Sequence, residues 1–471
     1  MPKKILLINP CPSESSGINE ATVHPPLGLA YLASYLRESA DGDSYNVRII
    51  DANILGITND RLIREIKATS PDIVGIHMNI ILGKPGAELA KLVKRETSAL
   101  VCVGGPVVSS NPQQILDLSQ ADIAVLGEGE ITFGEICSGQ SLDSIKGIAY
   151  RKNGTVCFNE PRPLIQDLDT LPYPAYDLLP PLSTYRSRAR KPPMGVIITS
   201  RGCPFRCTFC NTSIFGKRFR PRSPENVLGE IDLLVNKFGI NQLDVLDDNF
   251  TLDMDRAERI LDLIIERPYK LYINLQNGVR ADRLNRTLVR KMKQAGVFKA
   301  GIGVESANEE VRKSIRKSLK LENVEQALRW FREEGIITIA FFIIGFPNDT
   351  EKTINETIDF AIRANPSIAN FSLLIPFPGT QLYTTLVEAG QMAAAETPFY
   401  ESGFYDAKMY HRCASLTPEQ VAQLQKRAYT KFNFRPLKIL ETIRDIRSLT
   451  ELKWTIQAGI PILKNIIFRT S

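Results

Sequence analysis

No apolar run in this chain approaches the roughly 18 residues that a membrane-crossing helix needs. The N-terminus, Met1-Pro2-Lys3-Lys4 followed by Ile5-Leu6-Leu7-Ile8, also lacks the long apolar core and small-residue cleavage site of a signal peptide. The chain is therefore expected in the cytoplasm. Histidine is scarce, with three in all (His24, His77 and His411), none of them paired in sequence. Low-complexity tracts and solenoid-type repeats are absent too. With 43% apolar and 23% charged residues, the composition is that of a globular protein, which removes collagen-like, mucin-like and disordered readings. The 471 residues are enough for about three domains.

Charge of one sign is not in large excess: 58 basic against 52 acidic residues give +6, too mild for a nucleic-acid footprint. The imbalance sits at the C-terminus. Residues 431–471 hold eight basic and three acidic side chains, mixed with Leu449, Leu452, Trp454, Ile462 and Phe468. Such a tail can lie on an anionic membrane and deliver a lipid or isoprenoid, or it can pack over the rest of the protein and cover an active-site mouth.

Short β-rich runs alternate with amphipathic helical segments from residue 4 to about 135, as in KILLINP, VRIIDA, DIVGIHM, ALVCVGG and ADIAVLG. Such runs imply parallel strands buried on both faces, hence a doubly wound, Rossmann-like α/β domain over 1–145. Ligands of such sheets bind beyond the carboxyl ends of the strands. Residues 146–193 are proline-rich and read as an extended connector. A second alternating series over 194–390 has six strand-like runs, too few for an eight-unit barrel. It fits a partial (β/α)6 barrel, although another open sheet has the same periodicity. Residues 391–471 read as a helical C-terminal region, with Thr417 capping a helix that starts at Pro418.

Of eight cysteines, Cys11, Cys102, Cys137, Cys157 and Cys413 are scattered, and a cytosolic chain keeps such thiols reduced. Cys203, Cys207 and Cys210 fall within eight residues, in Arg201-Gly-Cys-Pro-Phe-Arg-Cys-Thr-Phe-Cys210. A structural zinc site wants four closed ligands, and no fourth stands nearby. A four-iron cluster held by three cysteines leaves one iron open.

Cys-x3-Cys-x2-Cys with an aromatic residue, Phe209, before the last cysteine resembles the radical S-adenosylmethionine enzymes. The resemblance implies that Cys203, Cys207 and Cys210 ligate a [4Fe-4S] cluster whose open iron binds S-adenosylmethionine. It further implies contacts to that molecule from Asp247 and Asp248 after the second barrel strand, Glu305 and Ser306 after the fourth, Gly345 after the fifth and Pro376 after the sixth. Each of these also has an ordinary role as a turn or helix cap. The N-terminal region resembles the cobalamin-binding domain that precedes many such barrels, through His24-Pro25-Pro26-Leu27-Gly28, Val103-Gly104-Gly105-Pro106 and Leu126-Gly127-Glu128-Gly129-Glu130. Pro26, Leu27, Gly28, Gly104, Gly105, Gly127, Glu128 and Gly129 are the implied cobalamin contacts. The two resemblances together span about residues 3–390. No Asp-x-His-x-x-Gly occurs, so cobalamin is expected without a protein imidazole on cobalt. His24 either approaches the corrin or serves the loop, and His77 is expected in the core.

This resemblance implies reductive cleavage of S-adenosylmethionine to a 5'-deoxyadenosyl radical, hydrogen abstraction, and methyl transfer from methylcobalamin to an unactivated carbon of a small-molecule or lipid-like substrate. A non-methylating oxidative cyclase or rearrangement enzyme has the same architecture. A non-catalytic iron–sulfur or cobalamin carrier or sensor is a third reading. The radical chemistry implies an electron donor such as flavodoxin or ferredoxin.

Overall fold

The computed structural model describes residues 2–12, 24–39, 42–185, 189–392, 411, 413 and 415–445. The apolar and basic tail from 446 onward, with its membrane and lid readings, lies outside the described residues.

Strands β1 (Lys3–Asn9), β2 (Tyr45–Asp51), β3 (Ile73–His77), β4 (Leu100–Gly104) and β5 (Ile123–Val125) form parallel pairs in the order β2-β1-β3-β4-β5. Because the order reverses at β1, the connecting helices cover both faces, and the reversal opens a crevice at the carboxyl ends of β1 and β3. The period of two along each strand sorts the core accordingly. Leu6, Ile8, Val74 and Ile76 pack with Leu62, Leu89 and Val93 of the helices on one face. Ile5, Leu7, Ile73 and Cys102 pack with Leu29, Leu36 and Phe133 on the other.

The sheet continues past residue 145. Strands β6 (Ile148–Lys152) and β7 (Thr155–Phe158) add to its edge as an antiparallel hairpin. Its turn, Asn153-Gly154, has φ of 51° and 84°, the doubly left-handed geometry that Asn-Gly favours in two-residue hairpin loops. The proline-rich stretch that follows is also packed rather than merely extended. Tyr176 OH lies 2.8 Å from Val196 O and 2.5 Å from Glu230 Oε1, while Tyr185 donates to Asp51 Oδ2 at 2.8 Å. Fully solvated spacers do not bury tyrosines; this one is the seam between two units.

The second unit is a six-stranded parallel sheet of β8 (Met194–Ile197), β11 (Gln242–Val245), β12 (Tyr272–Val279), β13 (Val297–Glu305), β14 (Ile337–Ile344) and β15 (Ile368–Leu373), each paired with its sequence neighbour. Between β8 and β11 a short antiparallel pair intervenes, β9 (Ser200–Arg201) with β10 (Arg220–Pro221). A sequential order with helical crossovers of constant hand puts all helices on one face. The other face is then free to curl around a site, and because β8 and β15 do not pair, the ring stays open. Gln242, Asp244 and Asn274, all buried, are linked through Asp244 by bonds of 2.7 and 2.8 Å. His24 joins them, with Nε2 at 3.3 Å from Asp244 Oδ2. It therefore serves the barrel unit.

Helix Leu27–Glu38 belongs to both units. Leu29, Ala33 and Leu36 enter the core of the first sheet, whereas Leu27, Ala30 and Tyr31 enter the barrel core. At the far end, helix Pro418–Asn433 starts with a capping box between Thr417 and Gln420 and closes on β15, where Tyr429 OH lies 2.9 Å from Asn370 Oδ1. No helix among the described residues is long and apolar enough to cross a membrane.

Candidate active site

The β9/β10 pair clamps the base of a loop that carries the three cysteines. Gly202 enters it with φ +84°, and a Cβ there would stand 2.2 Å from Arg218 O and 2.7 Å from Phe215 O. Only glycine fits, because both the left-handed backbone and the contact exclude a side chain. Gly202→Ala is expected to cost about 1–3 kcal/mol of local strain and to displace Cys203. Iron retained per chain should fall several-fold while the far-ultraviolet circular dichroism stays unchanged; full iron retention would show that the loop tolerates the shift.

Within the loop, Thr208 N donates to Ile315 O at 3.0 Å and Cys210 N to Cys207 O at 3.2 Å. All three cysteines are free thiols. The protein packed around the loop raises each of them, so metal binding must displace protons. Among the described residues no three His, Cys, Asp or Glu side chains converge as a single ion would require. An iron–sulfur cluster does not need that convergence, since each of its cysteines binds a different iron.

Cys203 and Cys210 face a cavity of about 720 Å3 that extends to the carboxyl ends of β3, β4 and β5. Gly28, Gly104, Gly105, Gly127, Glu128, Gly129 and Asp248 also line it. A Cβ at Gly28 would meet nothing within 4 Å, and one at Gly127 would meet only Ile214 O, at 3.9 Å. At these positions the missing side chain leaves open volume against which a large ligand can lie. The walls are otherwise largely apolar, including Leu7, Leu29, Leu32, Val103 and Phe133. His77 is not sealed in the core but lines this cavity, and the apolar surroundings push its imidazole down to about 4.

Several residues expected at the site sit elsewhere. Pro26 caps helix Leu27–Glu38, and Leu27 points into the barrel core. Phe209 packs with Phe346, Val311 and Leu374 beneath the cysteine loop. Asp247 is 2% exposed and fully engaged, accepting from Thr199 N at 2.6 Å, Thr199 Oγ1 at 2.5 Å and Ser200 Oγ at 2.6 Å. The acidic pair therefore splits: Asp247 ties β11 to β8, and Asp248 alone opens to the cavity, anchored by Gly202 N at 3.1 Å. Burial, and then neighbouring Asp247, raise the Asp248 carboxyl.

Ser306 is buried and caps the turn before the next helix, accepting from Asn308 N at 3.2 Å. Glu305 pairs with Lys317 Nζ at 3.0 Å, and both lie close enough to Cys207 to act on its thiol. Gly345 N donates to Asp349 Oδ2 and Gly345 O accepts from His411 Nε2, at 2.9 and 2.7 Å. The Gly345 N–H is thus taken, and this residue has no donor left for a ligand. Pro376 is buried, and the next two residues, Phe377 and Pro378, reach the cavity instead.

Comparison with known proteins adds the family. The B12 binding domain family matches residues 17–137 and the Radical SAM superfamily residues 197–361. An uncharacterized methyltransferase of Pyrococcus horikoshii is 35% identical, covering 93% of this chain and 94% of that protein. The chain belongs to the cobalamin-binding radical SAM enzymes. The cytidylyl-2-hydroxyethylphosphonate methyltransferase of Streptomyces wedmorensis is 27% identical over 92% of this chain and 90% of its own. The anaerobic magnesium-protoporphyrin IX monomethyl ester cyclase of Cereibacter sphaeroides is also 27% identical, over 79% of this chain and 62% of that one. Among solved structures, the cobalamin-dependent radical enzyme OxsB, with aqua-cobalamin and S-adenosylmethionine bound, superposes with a TM-score of 0.75 at 20% identity, covering 99% of this chain and 71% of that one.

The cofactors of this radical SAM enzyme are a [4Fe-4S] cluster, S-adenosylmethionine and cobalamin. Its residues fit them: three thiols without a fourth suit a cluster with an open iron, and the glycine-lined apolar cavity leaves room for a large ligand. Sequence reading missed what ties the two regions together. Arg201, two residues before Cys203, donates to Glu128 Oε1 at 2.9 Å and Glu130 Oε1 at 2.6 Å, while Arg220 donates to both Glu128 oxygens at 2.9 Å. All four side chains are buried. The Arg201 guanidinium also lies 5.1 Å from the Tyr31 ring and 5.2 Å from the Phe215 ring. Glu128 thus serves this radical SAM enzyme as a latch between the units, its carboxylate already saturated. Arg280, with its guanidinium 3.6 Å from the Phe205 ring, and Lys317 were missed as well. Their nearest signal was a basic character indistinguishable in sequence from a solvated surface.

Proposed function

We propose that the enzyme methylates an unactivated carbon of a small-molecule or lipid-like substrate. The observation that carries this reading is the shared cavity: Cys203 and Cys210 open into the same largely apolar space as the glycine loops of the first unit. When bound, the cluster and S-adenosylmethionine supply a hydrogen-abstracting radical, and cobalamin supplies a methyl group.

In this reading Cys203, Cys207 and Cys210 hold the cluster, while Gly28, Gly104, Gly105, Gly127 and Gly129 let backbone lie against the corrin. Asp248 and Glu305 offer carboxylates for the amino group and hydroxyls of S-adenosylmethionine, and Lys317 offers a cation for its carboxylate. The apolar walls exclude water from the radical. The names of the Pyrococcus and Streptomyces relatives support a methyltransferase.

The test is an anaerobic incubation of enzyme reconstituted with iron, sulfide and cobalamin, supplied with S-adenosylmethionine and a strong reductant, followed by chromatography of the nucleosides. Both 5'-deoxyadenosine and S-adenosylhomocysteine are expected, the second vanishing without cobalamin. The likeness to the Cereibacter cyclase favours a second reading, a non-methylating radical oxidation. Deoxyadenosine alone, with no cobalamin-dependent homocysteine product, would select it.

A further inference from the structure

We propose that the exposed cations Arg206 and Arg316 beside Cys207, with Lys320 further along the same segment, dock an acidic one-electron carrier protein that reduces the cluster. The inference rests on the radical reading above. It concerns where the electron enters.

The segment that follows β13 runs Glu309-Glu310-Val-Arg312-Lys313-Ser-Ile-Arg316-Lys317-Ser-Leu-Lys320, five basic residues in nine after two acidic ones. It is bonded directly to the cysteine loop. Ile315 O accepts from Thr208 N at 3.0 Å, and Arg316 O lies 4.0 Å from Cys207 Sγ. Not all of this charge is available: Lys313 pairs with Glu309 and Glu310 at 3.0 and 3.1 Å, and Arg312 donates to Ser306 O at 3.1 Å. Lys317 turns inward to Glu305, with its side chain 10% exposed. Arg316, at φ +54°, is exposed, and among the described residues its guanidinium bonds only the neutral Gln381, at 3.2 Å.

Arg206 lies between two of the cysteines and is exposed, as is Lys320. Among the described residues, Arg206, Arg316 and Lys320 have no carboxylate partner. Pro204, Ser314 and Gln381 are exposed too, so Arg206, next in sequence to Cys207, and Arg316, whose backbone O lies 4.0 Å from Cys207 Sγ, sit on accessible ground.

The sequence has one cysteine triplet and hence no second iron–sulfur site of this kind to relay an electron. The electron must then arrive from another molecule, by the shortest path, at the surface nearest the cluster. Cations there select an acidic partner and speed its encounter, an effect that salt screens. One electron passes from the reduced flavin or iron–sulfur group of the carrier, which is oxidised by one electron, to the cluster, which is reduced by one. No atom or proton need move between the proteins.

The experiment uses the full chain with its cluster restored and, as probe, a flavodoxin of net negative charge. Stopped-flow bleaching gives the rate of cluster reduction, and flavin fluorescence gives the affinity for the oxidised carrier. For the wild type, reduction by flavodoxin should slow about tenfold from low to physiological salt. Arg206→Glu combined with Arg316→Glu should slow it by a further factor of about ten or more and weaken binding in parallel. Lys320→Glu alone should move both readings the same way by less. Reduced methyl viologen, a small cation, should reduce the variants at least as fast as the wild type, which also shows that they are folded and hold the cluster.

A variant that keeps pace with the wild type under flavodoxin, or that slows equally with both reductants, overturns the docking surface. Absence of 5'-deoxyadenosine even with viologen would instead overturn the radical reading, a result distinct from either.

Discussion

Glu128→Ala is expected to destabilise the protein by ~3–5 kcal/mol, the range for removing one partner from a buried ion pair. Its carboxylate receives Arg201 and both bonds from Arg220, and it also accepts from Ile165 N at 2.9 Å. Side-chain exposures in the latch run from 2% to 6%, so the arginines left behind are largely desolvated. Burial alone would work against the charge on Arg201, and Glu130, Tyr31 and Glu128 outweigh it. Without Glu128, Arg220 loses its only carboxylate among the described residues. Glu128→Gln, which keeps an acceptor but not the charge, should fall between wild type and alanine. Denaturant unfolding of the three proteins measures the series. An alanine variant within about 1 kcal/mol of wild type, the usual worth of an exposed pair, would mean that the latch is solvated.

Cys203→Ala should remove the cluster. After anaerobic reconstitution the variant is expected to lack the broad visible absorption of an iron–sulfur protein. Its 5'-deoxyadenosine output should fall by more than about 100-fold, beyond the 10–100-fold typical of residues that only support a metal ligand. Replacement thiols are poorly placed: Cys137 is buried in the first unit's core, Cys413 is buried against the Phe346 and Asp349 carbonyls, and Cys102 lies on β4 at the cavity wall, 1% exposed. Cys157→Ser is the matched control and should leave both readings unchanged. Retained absorption in Cys203→Ala would show that the triplet is not the ligand set.

What the sequence made legible was whatever is encoded locally. Three cysteines in eight residues carry their spacing wherever the chain folds, and alternating β-rich and helical runs announce parallel sheets. Thr417-Pro418-Glu419 announces a helix start for the same reason. The boundary at 145 failed although its signal was present: Asn153-Gly154 between two short β-rich runs is a hairpin turn, outvoted by the prolines that follow. Asp247 and Asp248 could not be told apart, since side chains one residue apart on an extended chain point to opposite sides, and only tertiary structure says which side holds Thr199. The latch was invisible because Glu128 and Arg201 are 73 positions apart. An isolated glutamate in a glycine-rich loop reads equally well as a ligand contact.

Helix Leu27–Glu38 has one more consequence, for how such a protein is inherited. With Leu29, Ala33 and Leu36 in one core and Leu27, Ala30 and Tyr31 in the other, the helix is shared property. A recombination that exchanged the first 190 or so residues for those of a relative would bring a helix shaped to another barrel, and would separate Arg201 from the glutamates it was matched to. Trading one half for a relative's would therefore cost contacts on both sides of this helix as well as the latch.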